Sequence, residues 1–412
     1  MEYGCIGEHL GHSFSKEIHN ALADYEYEIR EIPRDGLDSF MEAAEFRAIN
    51  VTIPYKEAVI KHLYEIDENA KLIGAVNTVL NRGGRLYGYN TDFYGMSMLL
   101  ARAGIEISGK KVVILGTGGT SKTSYAVAKH LGAREIIKVG RAAKNGSVTY
   151  EELYERHTDA EVIINTTPLG MFPNIFASPI DIDKFPRLSG VADAVYNPLR
   201  TPLVLSALER GIPAEGGLYM LVAQGVRASE LFTDSEYGTD TLDAVFKRIV
   251  KEKENIVLIG MPSCGKSTVG KIIADKTGRE LIDTDEEIVR RAKMSIPEIF
   301  ESRGELYFRE LEAQVIRDSA ALTGRIISTG GGAVLRSENV RALRENGRIF
   351  FIDRPLEHLI PTADRPLSGT KEAVEQRYNE RYGIYLAAAD VSVCADTTAE
   401  DTARRITESF NL

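Results

Sequence analysis

Residues 260–268 read GMPSCGKST and fit the pattern G-x-x-x-x-G-K-[ST]. An apolar run at 256–259 predicts a buried strand before the pattern, and residues 269–274 predict a helix after it. In that setting the glycines let backbone N–H groups curl around phosphate oxygens, and the helix N-terminus adds a partial positive charge. Lys266 is expected to reach the β- and γ-phosphates, and the Ser267 hydroxyl to ligate Mg²⁺. The predicted nucleotide contacts are Gly260, Gly265, Lys266, Ser267 and Thr268.

Two carboxylates and two arginines follow the phosphate-binding pattern. Asp283 and Asp285 end the next predicted strand, where we expect Asp283 to hold Mg²⁺ through water and Asp285 to accept or orient a hydroxyl proton. Three glycines at 330–332 come after a further strand and invite close approach of the backbone to a small polar ligand. Arg309 and Arg381 can bind an anionic group through paired hydrogen bonds, although a surface helix position is the ordinary alternative for one arginine.

A second glycine-rich pattern lies in the first half of the chain. Residues 116–121 read GTGGTS, between a predicted strand at 110–115 and a helix that runs to about residue 131. This order resembles the dinucleotide fingerprint G-x-G-x-x-G, with Ser121 in place of the third glycine. A small residue there still permits close packing of helix on strand. The predicted dinucleotide contacts are Gly116, Gly118 and Gly119.

The end of the following strand, at 135–139, selects the dinucleotide. NAD-binding units usually carry a carboxylate there for the ribose 2′-hydroxyl. This chain has Arg141 and Lys144 instead, and these cations can pair with a 2′-phosphate. The sequence therefore favours NADP(H) over NAD, with a solvated basic loop as the alternative.

Lys56 and Asp92 are candidates for proton transfer. A lysine beside a carboxylate can orient a hydroxyl and relay its proton while a ketone is reduced. A lone lysine in the first turn of a helix, predicted here over 55–63, would otherwise be an ordinary surface residue. Further polar side chains recur at the same predicted edge and indicate a pocket for a polyhydroxylated substrate. They are Ser13, Ser15, Thr52, Asn77 and Thr91.

These side chains need several α/β domains to position them. With 412 residues the chain is too long for one ordinary core, and 43% hydrophobic with 27% charged residues is typical of globular domains. We predict an α/β substrate domain, a Rossmann-like NADP domain and a P-loop domain with a doubly wound parallel sheet. The first comprises 1–93 with 219–253, the second 94–218 and the third 254–412. Within the first, a strand is predicted at 72–80 with a hairpin turn at 83–84.

Composition limits the partners and the location. The net charge of −10 argues against nonspecific binding to nucleic acid or to an anionic membrane. No run of about 18 apolar residues and no secretory signal pattern is found. The three cysteines, Cys5, Cys264 and Cys394, are too far apart for a zinc pattern or a disulfide framework. We therefore expect a cytoplasmic protein that acts on small molecules, and nothing in the sequence indicates its oligomeric state.

The second half resembles shikimate kinase over residues 255–410. The resemblance rests on the phosphate-binding pattern, on the motifs at 283–285, 330–332 and 364–367, on Phe308-Arg309 with Glu312, and on Arg381 ahead of Tyr385. It implies that ATP is the phosphate donor and that shikimate is held by Asp285, Arg309, Gly331 and Arg381. It also implies that Arg365, on a mobile lid, reaches the transferred phosphate. The lid is short and lacks a further arginine that many members place near adenine.

The first half resembles shikimate dehydrogenase up to about residue 250. The resemblance rests on motifs at 12–15, 50–57, 74–78, 88–92, 165–171, 193–198 and 220–224. It implies that Lys56 and Asp92 are the catalytic pair and that the substrate is ringed by Ser13, Ser15, Thr52, Asn77 and Gln224. Residues 117–122 of this chain differ from the family pattern, in which alanines are more usual in this segment. Tyr219 stands where glycine often precedes Met-Leu, and we expect it near the nicotinamide, where it would narrow the site.

Together the two halves predict a bifunctional enzyme of the shikimate pathway. The first half would reduce 3-dehydroshikimate with NADPH, and the second would phosphorylate the 3-hydroxyl of shikimate with ATP and Mg²⁺. Two alternatives remain at this point. One half alone is catalytic and the other is a binding or regulatory module, or the dehydrogenase half acts on quinate or accepts NAD. A reactive Cys264 at the helix N-terminus is a further hypothesis, against an ordinary small residue at that position.

Overall fold

The computed structural model describes residues 1–10, 14–144, 146–359 and 370–410. The chain forms two compact units, Met1–Ile249 and Val250–Leu412. The division falls inside the helix Thr239–Lys253, whereas the sequence places the boundary at the end of that helix. No helix in the described ranges is long and apolar enough to cross a membrane.

The first unit contains two six-stranded sheets, and the first of them is mixed. Its strands are β1 (Tyr3–Gly7), β2 (Tyr27–Glu31), β3 (Ala48–Val51), β4 (Glu65–Ile66), β5 (Thr78–Arg82) and β6 (Arg85–Tyr89). The order across the sheet is β2-β1-β3-β5-β6-β4. β1 pairs parallel with β2 and β3, whereas β5 runs antiparallel to β3 and β6. Gly83 and Gly84, both at positive φ, form the β5–β6 turn, so the predicted hairpin is confirmed.

The second sheet of this unit is entirely parallel. Its strands are β7 (Lys111–Leu115), β8 (Glu135–Val139), β9 (Ser147–Val148), β10 (Val162–Asn165), β11 (Gly190–Asp193) and β12 (Ala214–Glu215). The order is β12-β11-β10-β7-β8-β9. The chain direction across the sheet therefore reverses at β7, and a crevice at the carboxyl ends of β7 and β10 is expected from this topology. The Rossmann-like fold predicted for this region is confirmed.

Nine helices of the described chain complete the first unit. They are α1 (Ser15–Asn20), α2 (Leu37–Ala43), α3 (Glu68–Ile73), α4 (Asp92–Arg102), α5 (Gly119–His130), α6 (Tyr150–Arg156), α7 (Pro202–Glu209), α8 (Leu218–Thr233) and α9 (Thr239–Lys253). The buried residues of α8 pack on α1 and α4, so the chain returns to the first lobe after the parallel sheet. The packing of α8 (Leu218–Thr233) concerns only part of the segment 219–253 that the sequence assigns to this lobe, so that assignment stays a prediction.

Two predicted elements of the first unit are wrong. Residues 55–63 form a turn followed by a 3₁₀ helix, Ala58–His62, because the carbonyl of Lys56 accepts a hydrogen bond from the Val76 N–H instead of a helical one. The predicted strand at 72–80 begins only at Thr78. Its first residues belong to α3, which Asp67 caps through Ala70 N–H and which ends at Gly74 with φ 71°.

The second unit is a parallel five-stranded sheet with helices around it. Its strands are β13 (Asn255–Ile259), β14 (Leu281–Asp283), β15 (Ile326–Ser328), β16 (Gly347–Asp353) and β17 (Val391–Cys394), in the order β14-β15-β13-β16-β17. Its helices are α10 (Lys266–Thr277), α11 (Thr284–Ala292), α12 (Ile296–Ala320), α13 (Ser337–Asn346), α14 (Lys371–Ala388) and α15 (Ala399–Ser409). The central strand β13 is wholly buried, and α12 is broken at Gly304, where φ is 79° and ψ 170°. The predicted P-loop fold is confirmed.

Candidate active sites

Lys56 and Asp92 meet at one edge of the first sheet. Lys56 lies in the turn after β3, and Asp92 is the first residue of α4, where the helix N-terminus favours a carboxylate. Lys56 Nζ donates to Asp92 Oδ2 at 2.5 Å, and the two side chains are 22% and 12% exposed. The pair is therefore reachable by a small ligand while it is largely shielded from water, which suits proton transfer to a ligand oxygen.

A buried network of amides and hydroxyls fixes the floor beside this pair. Asn77 Nδ2 donates to Thr91 Oγ1 at 3.0 Å, and Asn77 Oδ1 accepts from the Thr91 N–H at 2.8 Å. Asn50 accepts from the Tyr27 hydroxyl at 2.7 Å and donates to Thr78 Oγ1 at 3.1 Å. These bonds join β3, β5 and the start of α4. The network holds Asn77 in one orientation next to Asp92.

A cavity of about 180 Å³ opens over the ion pair. Six residues that the sequence assigns to substrate or catalysis line it together: Ser15, Thr52, Lys56, Asn77, Asp92 and Gln224. Ser13 lies outside the described residues. Sequence reasoning missed Asn50, Thr120 and Tyr196, which also line the cavity. Asn50 and Tyr196 lie inside the motifs at 50–57 and 193–198, so these motifs could have identified both residues as part of the cavity.

Tyr219 does not line this cavity in the described structure. The residues around it, Gly217 and Met220, do so instead. The Tyr219 hydroxyl donates to Asp243 Oδ1 of α9 at 2.8 Å, and the Arg102 guanidinium stacks 4.6 Å from the ring centroid. Burial raises the pKa of the Tyr219 phenol to about 12. The residue therefore fastens α8 to α9 and α4, in contrast to the role expected from the sequence.

The predicted dinucleotide loop follows β7 and opens α5. Gly116 has φ 110°, and a Cβ there would lie 2.6 Å from Thr166 Oγ1. Glycine is therefore required at this position. A Cβ at Gly118 or Gly119 would meet nothing within 4 Å in the described structure, so open space lies above the N-terminus of α5. Backbone N–H groups that face open space at a helix N-terminus suit a pyrophosphate. Ser121 is buried, as expected of the small residue in the third glycine position.

A cleft of about 700 Å³, here called the basic cleft, lies beside this loop. Arg141 and Lys144 both line it, and the Ser147 hydroxyl shapes their turn by donating to the Lys144 carbonyl at 2.7 Å. Three lysines that the sequence did not single out line the same cleft: Lys122, Lys129 and Lys138. They lie on α5 and β8, where a lysine has no distinguishing motif. The basic cleft therefore gathers cationic side chains near the end of β8, where the ribose of a bound dinucleotide is expected.

Asp193 joins two loops that border the site. It is fully buried at the end of β11, and it accepts hydrogen bonds from Asn165 Nδ2 at 2.9 Å, Thr201 Oγ1 at 2.7 Å and the Val195 N–H at 3.0 Å. Burial raises the pKa of the Asp193 carboxyl to about 7, and these hydrogen bonds oppose that rise. Asp193 thereby holds the loops after β10 and β11 in one arrangement.

The phosphate-binding loop of the second unit follows β13. Gly260 has φ 150° and Gly265 φ 100°, conformations that favour glycine. Lys266 Nζ donates to the carbonyls of Gly260 and Met261, both at 2.9 Å, so the ammonium lies inside the loop. Thr268 follows on the first turn of α10. The Cys264 side chain is 1% exposed, which argues against the hypothesis of an accessible reactive thiol.

Oxygen atoms gather beside this loop. Ser267 Oγ donates to Asp283 Oδ2 at 2.6 Å, and Ser328 Oγ donates to the same oxygen at 3.1 Å. Asp283 also caps α11 through the N–H of Asp285 at 3.0 Å. The described residues include no group of three or more His, Cys, Asp or Glu suited to a metal. A Mg²⁺ ion at Ser267 and Asp283 would therefore take its remaining oxygens from the nucleotide and water.

The three glycines at 330–332 explain how the remaining residues meet. A Cβ at Gly330 would lie 2.5 Å from Asp285 Oδ1, and a Cβ at Gly332 would collide with Arg309. Arg309 Nη1 donates to Glu312 at 2.8 Å, and burial raises the pKa of the Glu312 carboxyl while Arg309 opposes the rise. A side chain at position 330 would therefore displace Asp285, and one at position 332 would displace Arg309.

Helix α14 supplies the other arginine. Arg381 Nη1 and the Tyr385 hydroxyl both donate to the Gly331 carbonyl, at 3.2 and 2.5 Å. Asp285, Arg309 and Arg381 thus lie around the loop that contains Gly331, and the binding of one ligand by these four residues stays a prediction. Arg365 lies outside the described residues. Arg354, which follows β16, was missed by sequence reasoning, although its guanidinium lies 3.9 Å from a Cβ built on Gly265.

Two family models match the chain. The model described as shikimate dehydrogenase substrate binding domain matches residues 5–79, and the shikimate kinase model matches residues 262–411. Among curated relatives, the shikimate dehydrogenase (NADP(+)) of Clostridium perfringens (strain SM101 / Type A) is 36% identical over 265 residues, which cover 60% of this chain and 97% of the relative. The corresponding enzyme of Halothermothrix orenii is 39% identical over 259 residues, with 56% and 90% covered.

Solved structures give the same picture for the first unit. A chorismate mutase/shikimate 5-dehydrogenase fusion protein from Clostridium acetobutylicum is similar with a TM-score of 0.56 and 35% identity, covering 60% of this chain and 96% of that one. Shikimate 5-dehydrogenase from Thermus thermophilus, in complex with NADP(H) and shikimate, has a TM-score of 0.55 and 28% identity, covering 60% and 99%.

Proposed function

Since the chain belongs to the shikimate dehydrogenase family and carries a shikimate kinase domain after it, we propose that it reduces 3-dehydroshikimate and then phosphorylates the shikimate formed. It is a bifunctional shikimate-pathway enzyme. One observation supports the assignment of the reduction to the Lys56–Asp92 site. Lys56, Asp92 and Thr120, the last from the first turn of the dinucleotide helix α5, line one cavity. This shared lining supports the proposal that a nicotinamide enters beside the ion pair.

In the first unit the Lys56–Asp92 pair supplies and orients the proton that the substrate oxygen receives during reduction. NADPH supplies the hydride when it is bound. Lys56 Nζ donates a proton to the carbonyl oxygen of the substrate as that oxygen gains charge, and Asp92 keeps the ammonium oriented through their 2.5 Å contact. Hydroxyls and the carboxylate of the substrate are held by Ser13, Ser15, Thr52, Asn77 and Gln224.

NADP(H) is held by the second lobe of the first unit. Gly118 and Gly119 leave room for the pyrophosphate at the N-terminus of α5, and Gly116, at φ 110°, shapes the turn that leads to them. Arg141 and Lys144 pair with the 2′-phosphate in the basic cleft. The position beyond β8 holds no carboxylate that would repel this group.

In the second unit the chemistry is positioning and charge neutralisation. Lys266 and the N–H groups between Gly260 and Gly265 surround the ATP phosphates, while Ser267 and Asp283 hold Mg²⁺. Asp285 orients the shikimate 3-hydroxyl, and Arg309 with Arg381 binds the carboxylate next to Gly331. Arg365 approaches the transferred phosphate. A cytoplasmic location fits the three free cysteines.

Single lysine substitutions test the assignment of the two sites. Lys56→Ala should lower the dehydrogenase rate by at least about 100-fold, because the proton donor is removed, and leave the kinase rate unchanged. Lys266→Ala should do the reverse. Lys61→Ala, at an exposed lysine paired with Asp38, and Lys271→Ala, at a lysine about one and a half turns farther along α10, are matched controls that should retain both rates. NADPH oxidation and ADP release measure the two activities. Full dehydrogenase activity in Lys56→Ala would refute the role of that lysine.

A further inference from the structure

Lys138 is a cation of the basic cleft with an unusual neighbour. It precedes Val139, the buried last residue of β8, and lines the cleft with Arg141. Its ammonium lies 5.5 Å from the ring centroid of Tyr125, a residue of α5 that also lines the cleft and is 38% exposed. An aromatic face attracts an ammonium at this distance and restricts its position. Tyr125 therefore contributes to the position of the Lys138 ammonium at the wall of the cleft.

The surrounding charges favour an anion with more than one negative charge. The cationic side chains that line the cleft are Lys122, Lys129, Lys138, Arg141 and Lys144. Among the described residues that line it there is no carboxylate. Lys122 is engaged by Glu57 at 2.7 Å, which reduces its contribution. This concentration of positive charge occurs in a chain whose net charge is −10, so it is local to the cleft.

Lys138 and Lys129 lie at different distances from the end of β8. Lys138 is only three residues before Arg141, so the long side chains of these two residues can reach the same ligand group. Lys129 lies ten residues beyond Gly119 on α5, about 15 Å along the helix axis from its N-terminus. Lys138 is therefore close to the end of β8, where the ribose is expected, while Lys129 lies toward the far end of the cleft.

We propose that Lys138, positioned by Tyr125, contacts the 2′-phosphate of NADP(H) together with Arg141 and Lys144, and so determines the preference over NAD(H). The inference rests on the proposed cofactor site. Tyr125 is a positioning residue, since it acts through the Lys138 ammonium. A dianionic phosphate can accept hydrogen bonds from several cations at once, so a third cation adds affinity that NAD(H) does not gain.

The test is calorimetric binding of adenosine 2′,5′-bisphosphate and adenosine 5′-monophosphate to the full chain. Lys138→Met should weaken binding of the bisphosphate by about tenfold and leave binding of the monophosphate unchanged. Lys129→Met, the matched control, should change neither by more than about twofold. Tyr125→Leu should weaken bisphosphate binding by about threefold, Tyr125→Phe should restore it, and Tyr125→Leu should add little in the Lys138→Met background.

The outcomes separate this inference from the cofactor proposal. If Arg141→Ala weakens bisphosphate binding and Lys138→Met does not, Lys138 has no role and the cofactor site stands. If Lys129→Met weakens binding as much as Lys138→Met, the effect is a general field and the proposed contact is refuted. If the parent chain binds both nucleotides equally, the cofactor proposal itself fails.

Discussion

Position 330 has no room for a side chain because the Asp285 carboxylate lies against it. A Cβ at this position would lie 2.5 Å from Asp285 Oδ1 and 3.1 Å from Glu312 Oε1. Gly330→Ala should therefore displace Asp285 and lower the kinase rate by about 100-fold, since a displacement of about 1 Å in a catalytic group can have that effect. ADP release by the full chain measures it.

The control for that substitution is Gly383→Ala on α14, where a Cβ meets nothing within 4 Å in the described structure. This variant should retain the kinase rate, and both variants should oxidise NADPH normally. A fully active Gly330→Ala kinase would show that Asp285 does not depend on this contact.

Glu345 predicts a pH dependence of stability. It is 1% exposed on α13, and its Oε2 has no hydrogen-bond partner among the described residues. Burial raises the pKa of the Glu345 carboxyl to about 8, while Arg341 opposes the rise. A raised pKa means that the folded state binds the proton more tightly. The contribution to stability is therefore complete below about pH 4.5 and is lost as the pH rises through about 8.

Glu345→Gln should remove this dependence. At pH 8.5 the variant should gain stability relative to the parent by about 1 kcal/mol or more, because no charge has to be buried. At pH 5 the gain should be much smaller. Thermal unfolding of both proteins across this range measures the difference. A gain that does not depend on pH would contradict the titration of Glu345.

Most residues of the two candidate sites could be named from the sequence because each lies in a motif with a chemical reason. Lys266, Asp283 and the glycines at 330–332 are examples. Lys138 could not be predicted, since a lysine within a strand has no motif and its partner Tyr125 is distant in sequence. Glu312 was quoted only within a family motif, and its burial against Arg309 depends on the fold.

At the scale of elements, Tyr219 links α8 to α9. Tyr219→Phe removes the 2.8 Å hydrogen bond to Asp243 and should lower the free energy of unfolding by about 1 kcal/mol. The KM values for NADPH and 3-dehydroshikimate should remain within about twofold of the parent, because the hydroxyl does not face the cavity. Denaturant unfolding and steady-state kinetics measure the two effects.

Phe246→Leu is a matched control for the packing, since that ring lies edge-on to Tyr219 and is not among the described residues that line the cavity. It should also lower stability without altering the KM values. A large rise in the KM for NADPH in Tyr219→Phe alone would restore the nicotinamide role that the sequence suggested.

Strands and long helices could be predicted where one pattern dominates the segment. The run at 256–259 is such a case, because β13 is buried along its whole length. The segments at 55–63 and 72–80 could not, because their structure depends on partners elsewhere. The Val76 N–H donates to the Lys56 carbonyl, which is then not available for a helical hydrogen bond. Asp67 caps the start of α3 and Gly74 ends it, within an apolar stretch. Such competition is visible only once the fold brings the partners together.

At the scale of the whole molecule, the first unit contains two sheets and the second contains one, and each unit has its own candidate site. The product of the first reaction is the substrate of the second, which gives the fusion a chemical reason. The relatives that cover the first unit are dehydrogenases, and the kinase model covers residues 262–411 of the second. Both activities therefore belong to one chain.

The most direct test is one incubation of the full chain with 3-dehydroshikimate, NADPH and MgATP. We predict that NADPH is oxidised and that shikimate 3-phosphate accumulates, with one ADP released for each phosphate transferred. Lys266→Ala should stop at shikimate, and Lys56→Ala should form no product until shikimate is added. Oxidation of NADPH by the parent chain without any shikimate 3-phosphate would contradict the bifunctional assignment.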